Sequence, residues 1–173
     1  MKFFCPVGAT LCSQLLNLIM PNTYTQLYVH CVFAVKYRMA VIEPEWEDQL
    51  HKYITGIVNN NGHKLLAINS VKDHLHMLVG LNPKQSISEM IRFVKGDSSE
   101  FINKKGYTKR KFHWQEGYGA FSNSKSQIDA VVKYIINQKQ HHQNKSFRDE
   151  YLDILKYYSV DYDEKYIFSN LID

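Results

Sequence analysis

Two short motifs in this 173-residue chain carry the residue types that metal-assisted nucleophilic chemistry needs. The first is His74-Leu75-His76, which runs into the apolar Met77-Leu78-Val79. Alternate side chains of a β-strand share a face, so His74 and His76 point one way while Leu75, Met77, Val79 and Leu81 point the other. Two imidazoles on one face are spaced for a single metal ion to bridge. The second motif is Tyr134-Ile135-Ile136-Asn137-Gln138. On a helix, residues four apart are neighbours one turn from each other, and His141 falls on the same side as Tyr134 and Gln138. Two imidazoles and an amide oxygen leave positions open on a divalent ion. Such an ion polarises a phosphoryl oxygen, and a tyrosine hydroxyl beside it can attack phosphorus to form a covalent phosphotyrosine. That link conserves the energy of the phosphodiester, so cleavage can be followed by rejoining. Each motif alone also suits plain structure: polar residues on a half-exposed strand, and the polar flank of an amphipathic helix.

The surrounding pattern supplies the elements that must position these groups. Residues 24–36 alternate, with Leu27, Val29, Cys31, Phe33 and Val35 on one face, and predict a first strand. Pro44 opens a helix whose stripe is Trp46, Leu50, Tyr53, Ile54, Ile57 and Val58, and Asn59-Asn60-Asn61-Gly62 closes it. Residues 63–71 form a second strand, and the histidine motif lies on a third, stopped by Pro83. Ser86 and Glu89 make a capping box for a second helix. Residues 112–121, rich in aromatics and glycine, read as a fourth strand at an edge. Ser124 and Gln127 cap a third helix striped by Ile128, Val131, Val132, Ile135 and Ile136. A short helix over residues 147–158 follows, and then an acidic tail.

The order strand, helix, strand, strand, helix, strand is the split βαβ, ferredoxin-like arrangement, an α+β fold with an antiparallel sheet and extra C-terminal helices. Its usual sheet order, 4-1-3-2, puts the first and third strands side by side. Helices then cover one face, and His74 and His76 belong to the other, expected to be open to a ligand.

Composition is that of an ordinary globular protein, with 45% hydrophobic and 22% charged residues. Residues 21–173 read as a single domain. Residues 1–20 are apolar, with Lys2 the one charge, and read as an upstream extension. Their apolar run is broken by Pro6, Gly8, Ser13, Gln14 and Asn17, so none of it is long enough to span a bilayer. The net charge of +4 is compatible with a nucleic-acid partner. Cys5, Cys12 and Cys31 form no Cys-x-x-Cys pattern, which argues against a disulfide framework and fits a cytoplasmic protein.

Taken together, the quoted pieces resemble the HUH-class, single-tyrosine transposases of the IS200-like insertion-sequence family. The resemblance rests on Tyr24-Thr25-Gln26-Leu27-Tyr28-Val29-His30 through Val35-Lys36-Tyr37-Arg38, on Asp73-His74-Leu75-His76-Met77, on Trp114-Gln115-Glu116-Gly117-Tyr118-Gly119-Ala120-Phe121, and on the Tyr134 to Gln138 motif followed by His141-His142. It covers roughly residues 21–168. It implies that His74, His76 and Gln138 bind Mg²⁺ or Mn²⁺. It also implies that Tyr134 cleaves single-stranded DNA near hairpins at the element's ends, keeps the 5′ phosphate and leaves a 3′ hydroxyl. The resemblance further implies a homodimer whose active sites are shared between subunits, and no membrane.

Around this centre, His30 and His141 are auxiliary candidates. Lys36, Arg38, Arg92, Lys95, Lys109 and Arg110 are candidates for phosphate contacts, and Tyr37 and Trp114 for stacking on unpaired bases. Two other readings compete with a transposase: a non-catalytic nucleic-acid-binding module using the open sheet, and a domesticated relative that cuts chromosomal hairpins. The first leaves His74, His76, Tyr134 and Gln138 unexplained as a set.

Overall fold

The computed structural model describes residues 24–142, 145–163 and 167; the apolar stretch 1–20 lies outside them. Four strands form one antiparallel sheet: β1 (Tyr28–Ala34), β2 (Lys64–Val71), β3 (His74–Gly80) and β4 (Gly119–Asn123). Their order is β2-β3-β1-β4, the ferredoxin-like order expected.

One face of the sheet carries the main core. Val29, Cys31, Phe33 and Val35 from the first strand segment and Leu75, Met77 and Val79 from β3 pack under two helices, α1 (Pro44–Asn60) and α2 (Ile87–Lys105). Proline begins α1, and α1 supplies Trp46, Leu50, Ile54, Ile57 and Val58 to this core. The Ser86 hydroxyl accepts the Glu89 amide at the start of α2, while Gly106 ends the helix with φ 65°, a conformation that favours glycine. Full burial of each large aliphatic side chain is worth roughly 1.5–3 kcal/mol, so this face dominates the stability of the domain.

The opposite face is not open. Helix α3 (Ile128–Ile136), the single turn α4 (Gln138–His141) and α5 (Phe147–Tyr157) lie over it. Val32, Ala34 and Phe121 pack against Phe147, Ile154 and Leu155, and Ala67 and Leu78 pack against Ile128 and Ile135. The C-terminal helices carry apolar stripes of their own, and these stripes need a partner. The second sheet face is the partner they find.

Residues 112–118 also depart from the predicted strand. They pair with the sheet only at a single bridge, Val35 to Trp114, and β4 begins at Gly119. Gly117 at φ 78° breaks the extended run. Side chains hold the segment instead. Lys95 Nζ donates to the carbonyls of Gln115 (2.5 Å) and Gly117 (2.7 Å). Trp114 Nε1 donates to Ser98 Oγ (2.8 Å), and its buried ring meets Phe33 and Phe112 edge-on.

The third helix is interrupted. Its first turn, Lys125–Gln127, is a 3₁₀ turn held by the Ser124–Gln127 capping box, and the chain leaves helical geometry at Asn137 (φ −88°, ψ 13°). Two side chains tie the break to the sheet edge. Asn69 Nδ2, on β2 opposite His76, donates to the carbonyls of Ile135 (3.0 Å) and Ile136 (2.8 Å). Lys139 pairs with Glu47 of α1, whose other oxygen accepts from the buried Ser70 hydroxyl (2.9 Å). The carbonyls at a helix end have no partner within the helix, and Asn69 satisfies two of them. Asn69→Ala is expected to lower stability by about 1 kcal/mol, read as a lower urea midpoint with an unchanged slope. An unchanged midpoint would mean that solvent replaces Asn69 at no cost.

Candidate active site

Strand register sets out the first half of the site. Val32 lies opposite His76, Ala34 opposite His74 and His30 opposite Leu78, so all three histidines share the face under the C-terminal helices. His74 and His76 are fully buried and His30 nearly so. His74 Nδ1 is 2.8 Å from Asp73 Oδ1. A carboxylate only accepts, so Nδ1–H donates and Nε2 is left as a lone pair. His76 Nδ1 is 3.0 Å from His30 Nε2. With His76 Nδ1–H donating to His30, its Nε2 is also a lone pair. Holding the far ring nitrogen in this way is how proteins fix a ligating tautomer. Both Nε2 atoms are buried without a hydrogen-bond partner.

The second half comes from the C-terminal segments. Ser146 accepts the Asp149 amide (3.2 Å) and starts α5. Phe147 then lies flat on the His74 ring, with centroids 4.0 Å apart and 17° between planes. One turn on, Glu150 reaches into the site and is almost fully buried. Its two oxygens divide the neighbours. Oε2 accepts from His142 Nε2 (2.7 Å) and stands 3.4 Å from His74 Nε2 and 3.5 Å from His76 Nε2. Oε1 accepts from Gln138 Nε2 (2.9 Å) and from the Tyr134 hydroxyl. Gln138 Oε1 faces His142 Nε2 at 3.1 Å.

The electrostatics follow from burial and this one anion. Desolvation lowers the His30 pKa to about 3 and, opposed by Glu150, that of His76 to about 4. Both are therefore neutral, the form that binds metals. For His74 desolvation is outweighed by the Asp73 and Glu150 carboxylates, and its pKa is raised. Burial would raise the Glu150 carboxyl, but the neighbouring imidazoles of His142, His74 and His76 outweigh it and hold the group ionised. Tyr134 is pushed well above the usual phenol range, first by burial and then by the Glu150 charge.

The donor set fits a divalent ion. Two imidazole nitrogens without hydrogen-bond partners and a carboxylate oxygen converge in a buried site. Ligands about 2.1 Å from an ion stand roughly 3.0–3.4 Å apart, close to the separations between Glu150 Oε2 and the two Nε2 atoms. His74, His142 and Glu150 also offer ligand atoms within 4.8 Å of one another.

Of the predicted residues, the structure brings together His74, His76, Tyr134 and Gln138, with His30 behind His76. The Tyr134 ring is 6.0 Å from that of its own chain's His76. His141 does not join them. It is exposed and packs on the outside of Tyr134 at 5.3 Å, while His142 takes the inner position, because the break at Asn137 changes the helical phase. Trp114 is a core residue with no face left for a base, and Lys95 is bound to backbone carbonyls. Lys36 and Arg38 are half-buried, Lys36 lies over the Tyr37 ring, and Arg92, Lys109 and Arg110 are exposed. The sequence reading missed Glu150 and His142. A signal for Glu150 was present: it is the one charged residue on the stripe formed by Phe147, Tyr151, Ile154 and Leu155.

A ferredoxin-like sheet here brings an imidazole pair and a tyrosine hydroxyl into one buried site. Residues 23–138 match the family described as transposase IS200 like, and the chain belongs to that family of tyrosine transposases. It is similar to the ISDra2 transposase TnpA of Deinococcus radiodurans, with 27% identity over 118 residues, 65% of this chain and 84% of that protein. It is also similar to the transposase for insertion sequence element IS200 of Salmonella typhimurium, with 30% identity over 95 residues, 51% of this chain and 62% of that one. A solved Deinococcus radiodurans protein described as a transposase superposes with a TM-score of 0.56 at 26% identity, over 68% of this chain and 95% of its own. A REP-associated tyrosine transposase solved with a REP hairpin shares the fold, with a TM-score of 0.54 at 15% identity over 90% of this chain and 93% of its own. Among the described residues no helix is long and apolar enough to cross a membrane.

The buried histidines make stability depend on pH. In the unfolded chain His30 and His76 take up protons near pH 6.5, whereas in the folded, metal-free protein they resist protonation down to about 3 and about 4. Their contribution is therefore present above pH 6.5 and is lost as pH falls toward those values. Each adds up to about 1.4 kcal/mol per pH unit within that window. His74, with a raised pKa, has the opposite sign, and its contribution is lost only as pH rises above 6.5. Urea midpoints measured in EDTA should fall as pH drops from 6.5 toward 4. A flat profile would show that His30 and His76 are not held neutral.

Proposed function

We propose that this chain cleaves and rejoins single-stranded DNA beside hairpins at the ends of a mobile element, through a 5′-phosphotyrosine on Tyr134. The observation that carries the reading is convergence. The Tyr134 hydroxyl and the Gln138 amide meet on one oxygen of Glu150, whose other oxygen faces the orphaned nitrogens of His74 and His76. In this reading His74, His76 and Gln138 hold Mg²⁺ or Mn²⁺. A divalent ion bound there polarises a phosphoryl oxygen as a Lewis acid.

The chain's own groups account for the rest. Tyr134 Oη forms a bond to phosphorus while the bond from phosphorus to the 3′ oxygen breaks. Glu150 Oε1 orients the Tyr134 hydroxyl, the phenol proton leaves to solvent through the cavity beside it, and the departing 3′ oxygen takes a proton from solvent. A free 3′ hydroxyl attacking the phosphotyrosine reverses these steps and rejoins a strand. His30 keeps the His76 ring oriented, and Asp73 does the same for His74.

Two clefts support access to the site. A cavity of about 380 Å³ opens beside Tyr134 and Glu150, with Lys145 and Tyr157 in its wall. A second, of about 440 Å³, lies on the His74 side and is lined by Arg38, Lys72 and Lys145. This basic cleft suits a phosphate backbone, as do the exposed Arg92, Lys109 and Arg110, and binding would weaken with salt. In this reading the protein acts as a homodimer whose active sites are shared between subunits.

The test uses labelled single-stranded hairpin DNA with Mg²⁺ or Mn²⁺. Wild-type protein should form a protein–DNA adduct that survives denaturation, and Tyr134→Phe should form none. His76→Ala should lose the adduct through the metal. An adduct with Tyr134→Phe would overturn the assignment of the nucleophile. Hairpin binding without cleavage in either metal would favour a non-catalytic binding module.

A further inference from the structure

Glu150 lies twelve residues beyond the segment that matches the family, which ends at residue 138. Its environment is unusual for a carboxylate. It is 3% exposed, and it sits where burying an anion is costly unless the charge is met. His142 meets part of that charge at 2.7 Å. The other two nitrogens that Oε2 faces, on His74 and His76, are buried and unpartnered. Asp73 and His30 hold the far sides of those rings, so in each ring Nε2 is the nitrogen turned to the carboxylate. Oε2 at 3.4 and 3.5 Å from these two nitrogens forms with them a converging set of three donor atoms of the kind a cation binds.

Gln138 is less well placed for that position. Its carboxamide nitrogen is turned to Glu150 and its oxygen to His142, so neither atom is paired with His74 or His76. A carboxylate is also the harder and more strongly binding oxygen donor for Mg²⁺ or Mn²⁺.

We propose that Glu150, carried in by the C-terminal helix, is a direct ligand of the divalent ion through Oε2, completing a set with His74 and His76, while Oε1 holds the Tyr134 hydroxyl beside it. One carboxylate then ties the nucleophile to the metal. The C-terminal helix becomes part of the catalytic apparatus, fixed by Phe147 stacking on His74. The inference rests on the metal-dependent reading of this site, but its test needs no DNA and no turnover.

The experiment is Mn²⁺ binding to the full chain, followed by electron paramagnetic resonance of free Mn²⁺ and by calorimetry. Glu150→Gln, which keeps the shape and removes the charge, should weaken binding at least about tenfold. Gln138→Ala should weaken it less. Equal affinity for wild type and Glu150→Gln would overturn the proposal, as would a loss confined to Gln138→Ala. No Mn²⁺ binding by wild type would overturn it too. Absence of the DNA adduct with Mn²⁺ binding intact would instead count against the transposase reading alone. Should Glu150→Gln fail to fold, iron(II)-directed oxidative cleavage of the wild-type chain gives an independent answer. Scission around residue 150 as well as around residues 74–76 is expected. Scission around residues 74–76 and 138 with none near 150 would overturn the assignment.

Discussion

A buried carboxylate held against imidazole nitrogens is the constraint on which the rest of this structure turns. Glu150 joins the two halves of the site: the His74–His76 pair on the strand and the Tyr134–Gln138 pair on the helix. An ionised carboxylate in a dry interior is stable only if every neighbour favours the charge. Here His142, Gln138 and Tyr134 donate to it, and the Nε2 atoms of His74 and His76 face it. Donors from both halves of the site thus converge on one charge. The tautomers fixed by Asp73 and His30 matter for the same reason. Were either ring flipped, an N–H would face the carboxylate and the site would be an ordinary hydrogen-bonded cluster.

The two faces of the sheet divide the labour. Under α1 and α2, Cys31, Phe33, Leu75, Met77 and Val79 form a core that makes the sheet rigid. The other face positions chemistry, and its apolar patches are split into two small clusters on either side of the histidines. Sites built on strands and helices with packed neighbours keep their geometry better than sites on loops. The weak point of the design is the break at Asn137, where α3 hands over to Gln138. Asn69 and the Lys139–Glu47 pair are placed there, anchoring the tyrosine helix to its own chain's edge strand.

Much of this was legible in the sequence, and the reasons differ by residue. The topology followed from alternation, capping boxes and Pro44. His74 and His76 were legible because a strand period of two is strict, so their shared face needed no tertiary information. Tyr134 and Gln138 were legible through the helical period, even though the helix is interrupted between them. His141 was preferred over His142 because the same period was carried across Asn137, where it no longer held. The fourth strand was drawn too early because Phe112, His113 and Trp114 alternate as a strand does, although they bury against helices through Ser98 and Asn103 instead of pairing. The open face was expected because the ferredoxin-like core alone leaves it bare, and only the stripe of α5 could have shown otherwise. Glu150 interrupts that stripe. A charged residue on an apolar stripe has to be met by something buried, and in this chain the buried groups able to meet it were already known.

Covering the second face also bears on the chemistry. In the reaction proposed above the covalent link must be protected from water, because hydrolysis would discard the energy that rejoining needs. An open sheet would leave a phosphotyrosine on Tyr134 exposed to solvent. Helix α5, with Phe147 against His74 and Ile154 and Leu155 in the core, shields the histidine side of the site from bulk water and so strengthens the electrostatic contacts there, while the cavity beside Tyr134 gives access to the hydroxyl. Under this view the C-terminal helix is not an accessory to a complete catalytic domain. It covers the histidine side and supplies the carboxylate that the site is built around, so shielding the chemistry and completing it are a single structural event.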